Sequence, residues 1–173
     1  DMKHIKNTNA NYVHGTYLFP NGDIIFNVEY MGLVRMDSKG EILWKLLYRT
    51  HHSVFRDEDG NFWVAGMKRI EPGDDRIKQF PGLQSPFTEE TVLKVSPEGV
   101  LLKEISVLEA LYKGNYQRFL RRVSGDLLHL NDVEVVSDAL ADASPFYDTG
   151  DIVVSMKHVN LIAVLDQSGT VKW

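Results

Sequence analysis

The sequence predicts an all-β chain, about three to three and a half four-stranded blades of a β-propeller, with one inserted helix. Three observations predict it. A histidine heads a β-rich run three times: HGTYLFPNGDIIF from His14, HHSVFRDEDGNFWV from His51-His52, and HLNDVEVV from His129, followed after an insertion by TGDIVVS. Each unit closes alike, in MDSKGEILW (36–44), VSPEGVLLK (95–103) and LDQSGTVKW (165–173). The unit that results is a meander of about four strands and roughly 40 to 50 residues, the size of a propeller blade.

The elements follow in order. His14 to Gly22 and His52 to Gly60 have the same spacing, so the histidine holds one place in both repeats. Side chains at equivalent places converge on one point if the repeats surround an axis. Asp23-Ile24-Ile25-Phe26, Phe62-Trp63-Val64-Ala65 and Asp151-Ile152-Val153-Val154 directly follow turn glycines. Such short β-branched and aromatic runs read as strands buried on both faces. Residues 33–36 and 161–165 are the matching third strands, and Gly40, Gly99 and Gly169 supply the positive φ of the closing hairpins. Trp44 and Trp173 are expected to pack in the seams between blades.

Three insertions break the pattern. Residues 66–90 contain EPGDDR and QFPGLQSPF, whose prolines and glycines deny a regular element. Residues 105–123 place Leu108, Leu111, Tyr112, Phe119, Leu120 and Val123 at helical spacing with Lys113, Arg118, Arg121 and Arg122 between them. They predict an amphipathic helix weakened by Gly114, its basic residues either a solvated face or a contact for sulfate or a partner. Residues 137–149 separate the third histidine strand from its turn. Insertions of this kind sit on a rim and shape a pocket.

Propellers close with about four to eight blades, more than 173 residues provide. The chain also starts without methionine and stops at the end of a repeat. Residues 1–173 are therefore expected to form a single partial propeller domain of a longer protein; ring completion as a homo-oligomer is the other arrangement. A net charge of −5 argues against nucleic acid or an anionic membrane surface as partner. No run reaches the roughly 18 apolar residues of a membrane span, so membrane contact is expected only through an anchor preceding the chain. The absence of cysteine excludes disulfides, zinc-thiolate sites and cysteine nucleophiles.

The HH pair at one blade head, with HLNDVEVV and then DIVVSMKHVNLIAVLD later, resembles the bacterial arylsulfotransferases (aryl-sulfate sulfotransferases). The resemblance runs from about residue 11 to the end. In that family, built on a six-bladed propeller, a histidine pair opens one inner strand, a His-x-Asn motif opens the next site-forming strand, and Ser-x-Arg follows in the adjacent one. A histidine of a later blade takes the sulfuryl group covalently. The resemblance implies an extracytoplasmic, periplasmic protein that moves a sulfuryl group from an aryl sulfate to a phenol without a cofactor.

By the same resemblance His51 or His52 matches the histidine of the first site strand, and His129 and Asn131 match His-x-Asn. Ser155 and Lys157 occupy Ser-x-Arg. Lys157 keeps the charge of the family's arginine but loses its planar two-pronged grip, which implies weaker donor binding or lost activity. The covalent histidine is expected beyond Trp173. His52, His129 and Lys157 are thus the catalytic candidates, and His51, Asn131 and Ser155 the substrate-binding ones.

The residue chemistry agrees. Sulfuryl transfer builds charge on the SO3 oxygens and the departing phenolate, so the site must supply hydrogen-bonding or positive groups and an acid. Imidazoles do both near neutral pH. Other readings stand beside this one. His14, His4 and His158 are expected to be structural; neighbours on a strand point to opposite faces, so only one of His51 and His52 faces the axis. Lys157 either clamps the donor or lies over Met156. Asp132 and Glu134 have the i, i+2 spacing of a half-exposed strand. No metal is expected, because acidic or thiolate partners at short spacing are missing from the histidine heads. The endings VRMDSKGEILWK and AVLDQSGTVKW also resemble tryptophan-docking repeats of quinoprotein-type propellers, and a non-catalytic binding or scaffold propeller is the alternative function.

Overall fold

Each unit begins with a strand that runs into a tight turn. The first sheet is a meander of β1 (Val13–Leu18), β2 (Ile24–Val28), β3 (Gly32–Met36) and β4 (Ile42–Leu46), paired in sequence order. The second joins β5 (Thr50–Arg56), β6 (Phe62–Ile70), β7 (Phe87–Val95) and β8 (Leu101–Ser106) in the same manner. A two-residue strand, β9 (Gly125–Asp126), adds to β7 in parallel. The third holds β10 (Leu130–Val135), β11 (Ile152–Met156) and β12 (Leu161–Leu165), prolonged by a bridge from Leu165 to Val171. This computed structural model describes residues 12–173, and His4 lies outside them.

One turn chemistry recurs. The Gly40 N–H donates to the Asp37 carbonyl at 3.0 Å, while Asp37 Oδ1 accepts the Lys39 and Glu41 N–H groups at 2.9 and 2.8 Å. Asp166 repeats this with Ser168 and Thr170, and Ser96 repeats it through its hydroxyl with Glu98 and Val100. Asp57 holds the Asn61 N–H at 2.7 Å. The glycine of each turn has φ between +84° and +90°, which a Cβ would oppose.

The second sheet has an apolar face on each side. Side chains alternate along a strand, so Phe62 and Val64 of β6 enter one core while Trp63 and Ala65 enter another. The first core joins Phe62, Val64, Leu93 and Val95 to Ile25 and Leu33 of the first sheet, with Tyr17, Phe19 and Trp44 packed around it. The second sets Trp63, Ala65 and Val92 against Val133, Ile152, Val154 and Ala163 of the third sheet. This two-sided burial explains the unbroken apolar run FWVA. β5 lies against β1, β2 and β10, so the opening strands of all three sheets are neighbours.

Several expectations need correction. The helix expected over 105–123 is one short helix, α1 (Val107–Lys113), followed by a 3-10 turn over Gln117–Phe119. β8 persists to Ser106, whose hydroxyl caps the Glu109 N–H, and the chain leaves the helix at Gly114 and Asn115, the latter at φ +60°. The insertion over 66–90 is partly regular. β6 and β7 extend as a long hairpin to the Ile70–Phe87 pair, and only 71–86 is irregular apart from a 3-10 turn at Asp75–Gln79. A second helix, α2 (Asp138–Ala143), stands in the third insertion, its Ser137 hydroxyl accepting the Leu140 N–H. Trp44 sits in a seam, its indole N–H donating to the Pro97 carbonyl at 2.9 Å. Trp173, the last residue, is 69 % exposed.

The fold is therefore all-β, with three antiparallel sheets and few helices; among the described residues the sheets do not close a ring. No described helix is long and apolar enough to cross a membrane. Phe62 has no solvent exposure and meets the rings of Tyr17, Phe19 and Trp44 at 5.9 to 6.5 Å. Phe62→Ala is expected to cost about 3–5 kcal/mol, read as a lowered denaturation midpoint; a loss below about 1 kcal/mol would remove Phe62 from the centre of the first core.

Candidate functional site

The three histidine heads share a backbone device. Gly15, His52 and His129 have φ of +49°, +54° and +55°, in the left-handed region that residues with a Cβ seldom enter. Each lies beside a break in strand register, between His14 and Thr16, His51 and Val54, and Leu130 and Asp132. A bulge re-aims side chains at the end of a strand. Here the bulges turn three heads toward one another. A Cβ on Gly15 would stand 1.8 Å from the His52 carbonyl oxygen, so β1 passes β5 more closely than any other residue permits. Asn27 Nδ2 donates to that same carbonyl at 2.8 Å, and the Ser53 hydroxyl accepts the Val133 N–H at 3.0 Å.

Five imidazoles consequently meet. His14 Nδ1 is 3.3 Å from His52 Nδ1, and His52 Nε2 is 3.1 Å from His129 Nε2. His129 Nδ1 is 2.6 Å from Asp126 Oδ2. The His158 ring centre lies 4.9 Å from that of His129, and the His51 ring 5.0 Å from that of His52. His51 turns away into the protein, its Nε2 2.9 Å from Glu90 Oε2, with both side chains essentially sealed from solvent.

The hydrogen bonds set the tautomers. A carboxylate at Asp126 only accepts, so His129 carries its proton on Nδ1 and offers a lone pair at Nε2. His52 must then donate from Nε2 and accept at Nδ1, where His14 donates. His52 itself is held neutral, since burial first and then the nearby His51, His129 and His14 push it down to about 4. Burial pushes Glu90 up, against the pull of His51. Tyr30, whose ring lies 5.8 Å from that of His51, is pushed up to about 12 by burial and by Glu29.

The structure thus brings His52 and His129 into contact and adds His14 and His158, which the sequence reading assigned to structure. Of the histidine pair, His52 bonds into the cluster while His51 turns away to Glu90. Lys157 is exposed on the turn after β11; its N–H donates to the His129 carbonyl at 3.0 Å, while its side chain has no hydrogen bond or ion pair among the described residues. Asn131 is exposed in the β10 bulge, and Ser155 is half-buried on β11. Asp132 and Glu134 are the exposed positions of an alternating strand. Asp126 and Glu90 went unrecognised. Asp126 stands three residues before His129, and Glu90 is a charge inside an otherwise buried strand, so each left a local signal. Asp126 also supplies the acidic neighbour that was expected to be missing: one ligand atom each from Asp126, His129 and His158 lies within 4.8 Å of the others.

Known proteins compare as follows. A family model described as arylsulfotransferase matches residues 15–173. No curated protein matches the chain. Among solved structures, the crystal structure of a protein of unknown function from Bacteroides caccae is similar at 14% identity and a TM-score of 0.44, over 92% of this chain. The chain spans 44% of the length of that protein.

Two outcomes test the site. The His52 imidazole should titrate by NMR near pH 4. Its folded-state value lies below the unfolded one, so the unfolded chain binds the proton first, and His52 weakens folding as pH falls from about 6.5 toward 4. Titration near 6.5 would deny that burial holds His52 neutral. Gly15→Ala should lower stability and move the His52 ring resonances, since the new methyl group collides with the His52 carbonyl; unshifted resonances would deny the close approach of β1 and β5.

Proposed function

The chain belongs to the arylsulfotransferase family, and we propose on that premise that it transfers a sulfuryl group from an aryl sulfate donor to a phenolic acceptor at the histidine cluster. The observation that carries this reading is the 3.1 Å approach of His52 Nε2 to His129 Nε2, at a point where the opening strands of three sheets meet. In this proposal the three sheets are consecutive blades of a ring of about six, residues 12–173 form one part of that domain, and the protein works outside the cytoplasm.

The charge of the reaction explains the roles. A histidine of a further blade attacks sulfur as the bond to the aryl oxygen breaks, and the phenolate leaves. His129, given a proton on Nε2 by solvent when the donor parts the two rings, passes it to the phenolate, while the Asp126 carboxylate holds Nδ1 and keeps the ring aimed. In the second half the acceptor phenol returns that proton to His129 as its oxygen takes the sulfuryl group, so the cycle closes. His52, kept neutral, donates to a sulfuryl oxygen from Nε2 when the donor enters between the two rings. Lys157, free on its turn, supplies charge attraction for the sulfate, with Asn131 and Ser155 at the rim.

The test uses the whole protein, with release of 4-nitrophenol from 4-nitrophenyl sulfate followed with and without added phenol. Release is expected to depend on phenol, and His129→Ala should slow it about 100- to 10,000-fold without altering the circular dichroism spectrum. No release with any phenol would favour the second reading, a binding or scaffold module, toward which the unengaged Lys157 side chain points. An unchanged rate in His129→Ala would remove the central residue.

A further inference from the structure

We propose that Asp126, His129 and His158 form a site for a divalent late transition-metal ion of the zinc class. The donors are two imidazoles and a carboxylate, a set that suits zinc and its neighbours better than magnesium or calcium, which prefer oxygen alone. Their spacing in sequence is a short step from Asp126 to His129 and a long one to His158. Structurally the three are tied together by backbone. The His158 N–H donates to the Leu128 carbonyl at 2.9 Å, the Lys157 N–H to the His129 carbonyl at 3.0 Å, and Asp126 is paired to Thr88 of β7.

Distances and unmet bonding support the assignment. Donors around a tetrahedral zinc ion lie about 3.4 Å apart, given metal–ligand distances of about 2.1 Å. Asp126 Oδ1 and His158 Nδ1 are 3.6 Å apart, while His129 Nδ1 lies 2.6 Å from the other carboxylate oxygen, Oδ2, a contact that opens when Oδ1 and the two imidazoles close on an ion. Asp126 Oδ1 is buried yet has no hydrogen-bond partner, a costly state for a carboxylate oxygen that a cation would relieve. The His129 and His158 side chains keep 17 % and 18 % of their surface, which leaves an entry path and room for a fourth ligand such as water.

Two contacts oppose the ion. His158 Nδ1 donates to the Asp126 main-chain carbonyl at 3.0 Å, so it ligates only after giving up that bond and moving its proton to Nε2. Arg122 Nη1 lies 3.4 Å from His158 Nδ1 and donates to the Asp126 carbonyl at 3.2 Å, so its charge weakens cation binding until the guanidinium swings aside. Proton bookkeeping presents no obstacle. The ion takes His129 Nδ1, the displaced proton reappears on His129 Nε2, and the relay reverses: His129 then donates to His52 Nε2, the His52 proton moves to Nδ1, and the His14 proton moves from Nδ1 to Nε2 so that His14 Nδ1 accepts. No proton leaves the three rings. Because His129 serves both the ion and the transfer reaction, the two compete for it, but metal binding does not depend on the chain being a transferase.

Titration of the purified chain with Co2+, followed by visible absorption, and with Zn2+, by calorimetry, is the test. One ion per chain is expected, with Co2+ bands of low-coordinate N/O ligation and a change of tautomer at His52 in the 15N spectrum of the Zn2+ form. His158→Ala, at a turn where folding is tolerant, and Asp126→Asn should each weaken binding by about tenfold or more. Absence of binding, or variants that titrate like the parent chain, would overturn the proposal. Nitrophenyl sulfate turnover is measured on metal-free protein, so this assignment and the transfer reaction stand or fall separately.

Discussion

The close passage of β1 over β5, where Gly15 meets the His52 carbonyl, sets the geometry of everything around it. A side chain at residue 15 would hold the strands apart, and the His14 ring could no longer reach His52. The same carbonyl is claimed by Asn27 from the next strand, so the opening strands of two sheets are fastened at a single peptide group. On the far side, Ser53 fastens β5 to β10 through the Val133 N–H. The histidine cluster is thus a product of backbone contacts between sheets, and its imidazoles pack where those contacts leave them.

The cluster is polar and partly buried, which makes protonation within it costly. Rings linked donor to acceptor satisfy most of its nitrogens, and Asp126 at one end gives the series a direction. Glu90 and His51 lie outside that series, sealed under β5. They leave Glu90 Oε1 and His51 Nδ1 without partners, so the reserve of unmet hydrogen bonding extends beneath the rings as well as beside them.

Much of the fold was legible. Turn glycines with an Asp or Ser three residues before them, followed by β-branched runs, located most strands, because turn chemistry is local. The helix over 105–123 was overextended because spacing alone cannot see that Ser106 ends a strand and caps a helix, or that Asn115 takes a left-handed turn. The long β6–β7 hairpin was hidden by prolines and glycines that lie only in its tip. At the site, His52 and His129 stood out through repetition. Asp126 and Glu90 did not, since their importance comes from contacts made across sheets. His14 and His158 were discounted for the same reason.

β6 carries the fold on both of its faces and is paired along both of its edges. Over residues 62–65, successive side chains report to different interiors, and each is at most 1 % exposed. Sequence drift therefore has nowhere to go in this stretch. A larger residue at Val64 presses on the first sheet, one at Ala65 presses on the third, and no turn of the strand can trade one strain for the other. Relatives of this protein should differ freely at the rims and in the loop over 71–86 while holding this short run nearly constant in size.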